Sequence, residues 1–260
     1  MTGPPRLLTP ERSLTPPGDI NIPWYPNLTD PNLVLYVPLW YDQYKSDKFY
    51  SLDLNKHLCE VTDALWTPQG RTFDGDDWLL FSGFLQAHLD YGVHDWTMLF
   101  WIKSSYSTDY QCIWSKTPVA SWGGWSKWFH LNITTGYLAF DGYGITPTTS
   151  VAAYNDGVWH QLGAKFKASN DTVTLIADGA ELNSSTQNLS VDEATQPNII
   201  GARESRSYGL VGTMGEGLIY KCLRTAPELL HDYLVTKWRY EDGLDPVGGR
   251  GPFRPLTPAR

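Results

Sequence analysis

Two alternating segments joined by turn residues constrain the fold of this chain more than any other feature. Residues 161–166 place Leu, Ala and Phe on one face and Gln, Gly and Lys on the other, which is the two-residue period of a half-buried strand. Residues 173–177 alternate in the same way. Asp178-Gly179 follows, and both residue types tolerate the positive φ angles of a tight two-residue hairpin. The turn signal Asp156-Gly157 precedes both segments, so the stretch predicts antiparallel strands.

Motifs in and around these strands resemble those of the laminin-G-like family, within the concanavalin-A-like lectin and glucanase superfamily of jelly rolls. Typical members carry a Gly-x-Trp-His strand and a strand that ends in Asp-Gly, which here are residues 157–160 and 177–179. Three further places fit the family's early strands and its ending: Phe73–Asp77, Asp95–Lys103, and Ile199–Gly201 with Gly215–Tyr220. The resemblance covers roughly residues 33–240. The chain departs from it at Gly215-Glu216, where the family usually has an acidic pair.

The resemblance and the strand pattern together predict an all-β fold. We expect a two-sheet antiparallel jelly-roll sandwich with one short C-terminal helix and extended Pro-rich terminal arms. The expected divisions are a Pro-rich arm over residues 1–32, the sandwich over residues 33–240 and an extended basic tail over residues 241–260. Trp96–Ile102 is apolar on both faces, which predicts a central strand. Residues 41–55 are polar and are predicted to be a loop.

The predicted helix begins after Thr225. Thr225 can cap its first turn, and Glu228 can reach back to the cap, which is the pattern of a capping box. Leu230, Leu234 and Trp238 then fall near one face of the helix. After Glu241 the chain becomes rich in glycine and proline, so the helix is expected to end there.

Both ends of the chain have the composition of extended segments. Eight prolines in residues 1–32 exclude a sheet interior or a helix and favour polyproline II. The candidate assembly residues are Pro4, Pro10 and Pro16 in the arm and Arg250, Arg254 and Arg260 in the tail. Such arms can dock on a neighbouring subunit, which predicts a homo-oligomer or contacts with other structural proteins. The alternatives are an arm packed along its own domain and a solvated tail.

The net charge and the distribution of apolar residues argue against some classes of binding partner. The formal net charge of −8 disfavours nonspecific binding to nucleic acid and to anionic membranes. No run approaches the length of a transmembrane helix, so no membrane insertion is expected. No secretory signal follows Met1, which predicts synthesis in the cytoplasm. The cysteines at positions 59, 112 and 222 are expected to be small buried hydrophobes and not a disulfide framework or a zinc site.

The spacing of the glutamates argues against catalysis. Glucanases with this fold use a Glu-x-Asp-x-Glu strand, because the two-residue period puts both carboxylates on one face. The eight glutamates of this chain all lie more than ten positions apart, so the motif is absent and we expect no enzymatic activity. His160 shares the alternation of Leu162 and Phe166, which predicts a core histidine and not a catalyst.

An acidic turn is the candidate metal site. Asp74, Asp76 and Asp77 crowd carboxylates onto one turn, which suits a hard cation such as calcium. Relatives with this fold often bind calcium at loop carboxylates. The alternative, which we favour, is an Asp-rich turn stabilised by bonds from its side chains to its own backbone. No other cofactor is indicated.

A tryptophan-rich segment is the candidate ligand or interface site. Trp122 and Trp125 flank two glycines, so this loop could present flat rings that stack on sugars or anchor a protein interface. Burial of these two residues is an equally good interpretation. Trp128 begins an apolar strand and is the one of the three most expected in the core.

Two functions remain after these exclusions. The first is a non-enzymatic structural or decoration protein of a larger assembly, with a virion (phage) surface or another extracellular assembly as the expected location. It rests on the jelly-roll resemblance, the missing catalytic pair and the terminal arms. The alternative is a lectin-like adhesion module that binds surface glycans and could depend on calcium.

Overall fold

The fold is two antiparallel β-sheets packed face to face. The computed structural model describes residues 26–81, 88–117, 126–132, 134–142, 144–189, 196–203 and 208–241. Within these residues each sheet contains eight strands, and every strand pair is antiparallel. This confirms the predicted all-β sandwich with a short C-terminal helix.

The described strands, numbered along the chain, are β1 (Leu33–Pro38), β2 (Lys48–Tyr50), β3 (Leu58–Thr62), β4 (Leu65–Thr67), β5 (Gly70–Asp74), β6 (Trp78–Phe81), β7 (Trp96–Lys103), β8 (Gln111–Lys116), β9 (Lys127–Leu131), β10 (Tyr137–Gly142), β11 (Thr148–Ala153), β12 (Trp159–Lys167), β13 (Thr172–Ala177), β14 (Ala180–Thr186), β15 (Asn198–Ile200) and β16 (Val211–Tyr220). Helices α1 (Ala226–Thr236) and α2 (Trp238–Glu241) follow them. The first sheet has the order β14-β13-β12-β7-β16-β5-β4, and β1 pairs with the second half of β16. The second sheet has the order β11-β10-β9-β8-β15-β6-β3-β2.

Strand β7 is the central strand that the sequence predicts. It lies between β12 and β16, and its two faces are both covered. One face enters the core between the sheets through Met98, Phe100 and Ile102. On the opposite face, the Trp101 ring stacks on Tyr240 at a centroid distance of 4.4 Å and its indole N–H donates to Thr236 at 2.9 Å. The C-terminal helices therefore seal the outer face of the first sheet.

The tight hairpin between β13 and β14 also forms as predicted. Asp178 and Gly179 have φ angles of 49° and 78°, the left-handed values that a two-residue turn of this type requires. Gly179 is needed for a second reason, because a Cβ there would lie 2.8 Å from Tyr233 and 3.0 Å from Leu230 in α1. The hairpin and the helix can pack only because this side chain is missing.

Strand β12 is buried on both faces, where the sequence predicts a half-buried strand. Leu162, Ala164 and Phe166 face the core as expected. Gln161 and Gly163, on the other face, are also buried. The pattern of the strand alone could not show this, because the cover comes from outside the strand, for example from Leu99 and Ile176 beside Gly163.

Helix α1 has the predicted start but a different buried face. Glu228 accepts a hydrogen bond from the Thr225 backbone N–H at 2.8 Å, as the capping box predicts. The large apolar residues near one face remain substantially exposed: Leu230, Leu234 and Trp238. The buried residues are instead Leu229, Asp232 and Thr236, and Asp232 forms an ion pair with Arg224 at 2.8 Å. The helix docks through these residues and through the ring of Tyr233, which stacks on Trp101 at 5.6 Å, so hydrophobic periodicity indicates the wrong face.

Two short strands lie where the sequence gives no strand signal. Strand β2 falls inside the predicted loop 41–55, and its edge position gives it only one buried side chain, Phe49. Strand β11 is another sheet edge with a polar sequence. Of the cysteines, Cys59 and Cys112 are buried and Cys222 is partly exposed, and all three are free thiols.

Several predicted features lie outside the described residues. These are most of the arm, including Pro4, Pro10 and Pro16, and most of the tail, including Arg250, Arg254 and Arg260. Among the described helices, none has the length and apolar character that a membrane crossing requires.

Candidate functional site

An aromatic patch on the outer face of the second sheet is the candidate site. Successive side chains of β9 point to opposite faces of the sheet, so Phe129 and Leu131 enter the core while Trp128 and His130 point to the outer face. Trp128 is only 5% exposed, because other aromatic side chains surround it. The prediction that Trp128 is buried is confirmed, but it lies outside the core between the sheets.

The rings of the patch are in mutual contact. The Trp128 and His130 rings stack with centroids 3.8 Å apart and planes 22° apart. Tyr110 packs against both at 5.4 Å, and it meets Tyr208 edge to face at 5.5 Å. Tyr110 and Tyr208 are only partly buried, so they form the accessible part of the patch.

A cation lies over this aromatic surface. The guanidinium carbon of Arg203 is 4.6 Å from the Trp128 ring centroid and 4.2 Å from that of Tyr208. The backbone of Tyr208 is hydrogen-bonded to β8, since the Cys112 backbone N–H donates to the Tyr208 carbonyl at 2.9 Å. The arrangement is a cation–π contact on a fixed backbone.

A buried His–Asp pair forms the polar edge of the patch. His130 Nε2 is 3.4 Å from Asp141 Oδ2, on the neighbouring strand β10. His130 Nδ1 and Asp141 Oδ1 are buried and have no hydrogen-bond partner among the described residues. Buried polar atoms without partners are uncommon in folded proteins, and a bound water, an ion or a ligand group can supply the missing partner.

The other two candidate tryptophans, Trp122 and Trp125, lie outside the described residues. They fall in the sequence between β8 and β9, whose described pairing includes Ser115 with Trp128 and Lys116 with Lys127. Of the three candidate tryptophans, only Trp128 lies in the described part of the patch. Sequence analysis missed Asp141, on the next strand, and Tyr110, Arg203 and Tyr208, which are farther away in the sequence.

The structure brings the three aspartates of the candidate metal site together. One carboxylate oxygen from each of Asp74, Asp76 and Asp77 lies within 4.8 Å of the others, and this set of hard oxygen donors fits calcium. The turn also has the internal bond of the alternative interpretation, because Asp77 accepts from the Asp74 backbone N–H at 3.1 Å. Burial, reinforced by the two neighbouring carboxylates, raises the pKa of Asp77 to about 6. A hydrogen bond from Asp76 lowers the pKa of Asp74.

His160 is not the core histidine that the alternation predicts. It lies at the start of β12, where Nδ1 is 2.8 Å from Asp178 and Nε2 is 3.3 Å from Asp156. Burial alone would lower its pKa, but the bonds and charges of the two aspartates outweigh burial and raise it. The residue connects the turn before β12 to the β13–β14 hairpin. The alternation could not reveal these aspartates, because each belongs to a turn.

The two sheets, the Asp-Gly hairpin and the C-terminal helix define a lectin-type β-sandwich. The chain belongs to the concanavalin A-like lectin/glucanases superfamily, whose sequence model matches residues 73–230. No match was found among curated protein sequences.

Solved structures share this fold at low sequence identity. Trypanosoma rangeli sialidase is 10% identical with a TM-score of 0.62, over 83% of this chain and 34% of that one. NanB sialidase from Streptococcus pneumoniae is 15% identical with a TM-score of 0.51, over 62% of this chain and 27% of that one. The CBM40 of Ruminococcus gnavus IT-sialidase is 14% identical with a TM-score of 0.46, over 54% of this chain and 83% of that one. The chain thus matches about a third of the length of each of the two sialidases, and these likenesses show the fold alone.

Proposed function

We propose that this protein is a non-catalytic glycan-binding module and that the aromatic patch is its binding face. The observation that carries the proposal is the contact between Tyr110, Trp128, Tyr208 and Arg203 on the outer face of one sheet. Membership of a superfamily of lectins and glucanases supports the ligand class.

The chemistry of the patch suits sugars. Sugar rings have apolar C–H faces that pack on aromatic rings, and Tyr110 and Tyr208 offer partly exposed rings with polar hydroxyl groups. Arg203 adds donors for sugar oxygens beside them. The stacked Trp128 and His130 form a rigid floor, so little side-chain entropy is lost on binding.

The absence of catalysis is part of the proposal. The glutamates lie more than ten positions apart in the sequence, so no Glu-x-Asp-x-Glu strand exists. Glu216, in the central part of the first sheet, is fully buried and accepts from Arg239 at 2.9 Å. Its environment favours a structural role.

The assembly hypothesis stays a prediction. It rests on the Pro-rich arm and the basic tail, which lie almost entirely outside the described residues. No contact among the residues that the structure describes favours a virion subunit over a glycan-binding module.

A glycan array tests the proposal. The wild-type protein should bind one group of related glycans, and the Tyr110→Ala/Tyr208→Ala double variant should lose most of that signal. Tyr50→Ala is the matched control, because Tyr50 is 59% exposed on the far edge strand β2 of the same sheet. Circular dichroism should show that all three proteins are folded. A folded wild-type protein that binds no glycan on a broad array would contradict the proposal.

A further inference from the structure

A second group of partly exposed aromatic rings lies where α2 meets the end of β1. The Trp40 and Tyr41 rings meet edge to face, with centroids 5.9 Å apart. Trp66, on the edge strand β4, joins them because its indole N–H donates to the Tyr41 carbonyl at 3.2 Å. On the other side, the Arg239 guanidinium carbon lies 4.8 Å from the Trp40 ring centroid and 5.4 Å from that of Trp238. These four aromatic residues form the aromatic ridge.

The ridge is shaped as a groove and is held from below. Glu216 accepts from the Trp40 indole N–H at 3.3 Å and from Arg239 at 2.9 Å, which fixes the ring and the cation beside it. The Trp40 and Tyr41 ring planes are inclined by 71°, so these two rings form a notch and not a flat platform. Grooves lined by aromatic rings are the surfaces on which proline-rich polyproline II segments dock.

Carboxylates outnumber cations beside the β4 end of the ridge. A cleft of about 320 Å³ opens there, and the exposed Asp47 and Asp63 line it. Lys45 also lines the cleft, but it already pairs with the exposed Asp42 at 2.9 Å. Arg71 is 1% exposed, and its terminal nitrogens donate to three carbonyls. The accessible surface therefore favours a ligand that carries positive charge.

The sequence contains a segment with matching properties, outside the described residues. Prolines recur at every third position in Pro252, Pro255 and Pro258. Polyproline II has three residues per turn, so these three prolines would share one face of such a helix. Residues 249–260 also contain three arginines and no acidic residue. The segment thus combines a proline face with positive charge.

We propose that the aromatic ridge is the docking surface for the chain's own residues 252–258. The prolines would pack in the notch of the ridge, and the arginines would lie beside the carboxylates of the cleft. Glu241, the last described residue, is three positions beyond Trp238, which is itself part of the ridge. The eleven positions from Glu241 to Pro252 can span up to about 35 Å, so the segment can reach the ridge. The ridge shares no residue with the aromatic patch, so the inference does not depend on the proposed function.

The indole N–H resonances of the full chain, assigned with single Trp→Phe variants, test this docking. The tail variant replaces the three periodic prolines by glycine: Pro252→Gly/Pro255→Gly/Pro258→Gly. It should shift the resonances of Trp40 and Trp66 and leave that of the fully buried Trp114 unchanged. The arm variant is the matched control, because it makes three proline-to-glycine changes at the other end of the chain: Pro4→Gly/Pro10→Gly/Pro16→Gly. It should shift none of these resonances.

A synthetic peptide of residues 249–260 is the second probe. Added to the tail variant, whose ridge is then free, the peptide should return the Trp40 and Trp66 resonances saturably to their wild-type positions. The same peptide with Arg254→Glu should bind at least about fivefold more weakly, because its carboxylate meets the carboxylates beside the ridge.

Three results would each overturn the inference: wild-type resonances in the tail variant, equal shifts in the tail and arm variants, or a peptide that restores nothing. Neither variant changes a described residue, so a failure to fold does not obscure the outcome. Shifts that depend on protein concentration, together with a dimer mass in light scattering, would contradict docking within one chain. A glycan that shifts Trp66 where the peptide does not would also contradict it.

Discussion

The imidazole of His130 stacks on the indole of Trp128, with ring centroids 3.8 Å apart. The two residues alternate with core residues on β9, so the strand anchors the core on one face and an aromatic patch on the other. The stack therefore has both a stability role and a proposed binding role, and these can be measured separately.

Truncation of the stack should destabilise the fold. Trp128→Ala removes a large, 95% buried ring and should lower the free energy of unfolding by about 3–5 kcal/mol. Trp128→Phe retains a stacking ring and should cost clearly less. Urea unfolding followed by circular dichroism measures both. Equal and small effects of the two variants would mean that the ring is not part of a packed unit.

The Glu216–Arg239 pair should anchor the C-terminal helices. Glu216 Oε2 accepts from Tyr36 in a buried setting and from the partly buried Arg239 and Trp40. Glu216→Gln leaves the largely buried side chain of Arg239 without its counter-charge and should cost about 3–5 kcal/mol of unfolding free energy. Glu60→Gln removes an exposed carboxylate from a surface pair and should change that free energy little. Similar urea midpoints for the two variants would contradict the anchoring role.

His160 should make stability depend on pH in a defined direction. Its pKa is raised in the folded protein, so its ion pairs with Asp178 and Asp156 contribute fully below the unfolded value of about 6.5 and are lost as pH rises through the folded value. The unfolding free energy of wild type minus that of His160→Gln should therefore be larger at pH 5.5 than at pH 8.5. Taking this difference removes the contributions of the other titrating groups, because both proteins contain them. A difference that is the same at both pH values would refute the assignment.

The ionised Asp77 carboxylate should lower the free energy of unfolding at pH values above its raised pKa. Its folded pKa of about 6 exceeds the unfolded value of about 3.9, so the ionised form is penalised in the folded state at neutral pH. Asp77→Asn keeps an acceptor for the Asp74 N–H and should raise Tm at pH 8 by roughly 2–5 °C in chelator, and this gain should shrink toward pH 4. Differential scanning fluorimetry measures it.

The same experiment with calcium tests the metal hypothesis. Bound calcium would offset the crowded carboxylates, so it should raise the Tm of the wild-type protein more than that of Asp77→Asn. A wild-type Tm that is the same in chelator and in excess calcium would leave the turn as a purely internal structure.

Local patterns in the sequence identify local structure well. The Asp178-Gly179 turn and the Thr225–Glu228 capping box depend on neighbouring residues, and both form as predicted. The apolar run of β7 indicates a central strand for the same reason. The family motifs add the sandwich, which no single strand pattern specifies.

Features that depend on distant contacts are where prediction fails. Leu230 and Leu234, which the periodicity places on the buried face, are exposed. The buried face of α1 instead contains Asp232 and Thr236, whose partners Arg224 and Trp101 lie outside the helix. The aromatic patch likewise joins residues from strands and loops up to about a hundred positions apart. One local signal was present: Trp128 and His130 alternate with Phe129 and Leu131, which indicates a second, outward aromatic face.

Calorimetric titration of the best glycan from the array tests the central claim most directly. The account predicts that Tyr208→Ala raises Kd about fivefold to tenfold, because a stacking ring and its contact with Arg203 are lost. Tyr50→Ala should leave Kd unchanged. Equal Kd values for wild type, Tyr208→Ala and Tyr50→Ala would contradict the assignment of the aromatic patch as the glycan-binding face.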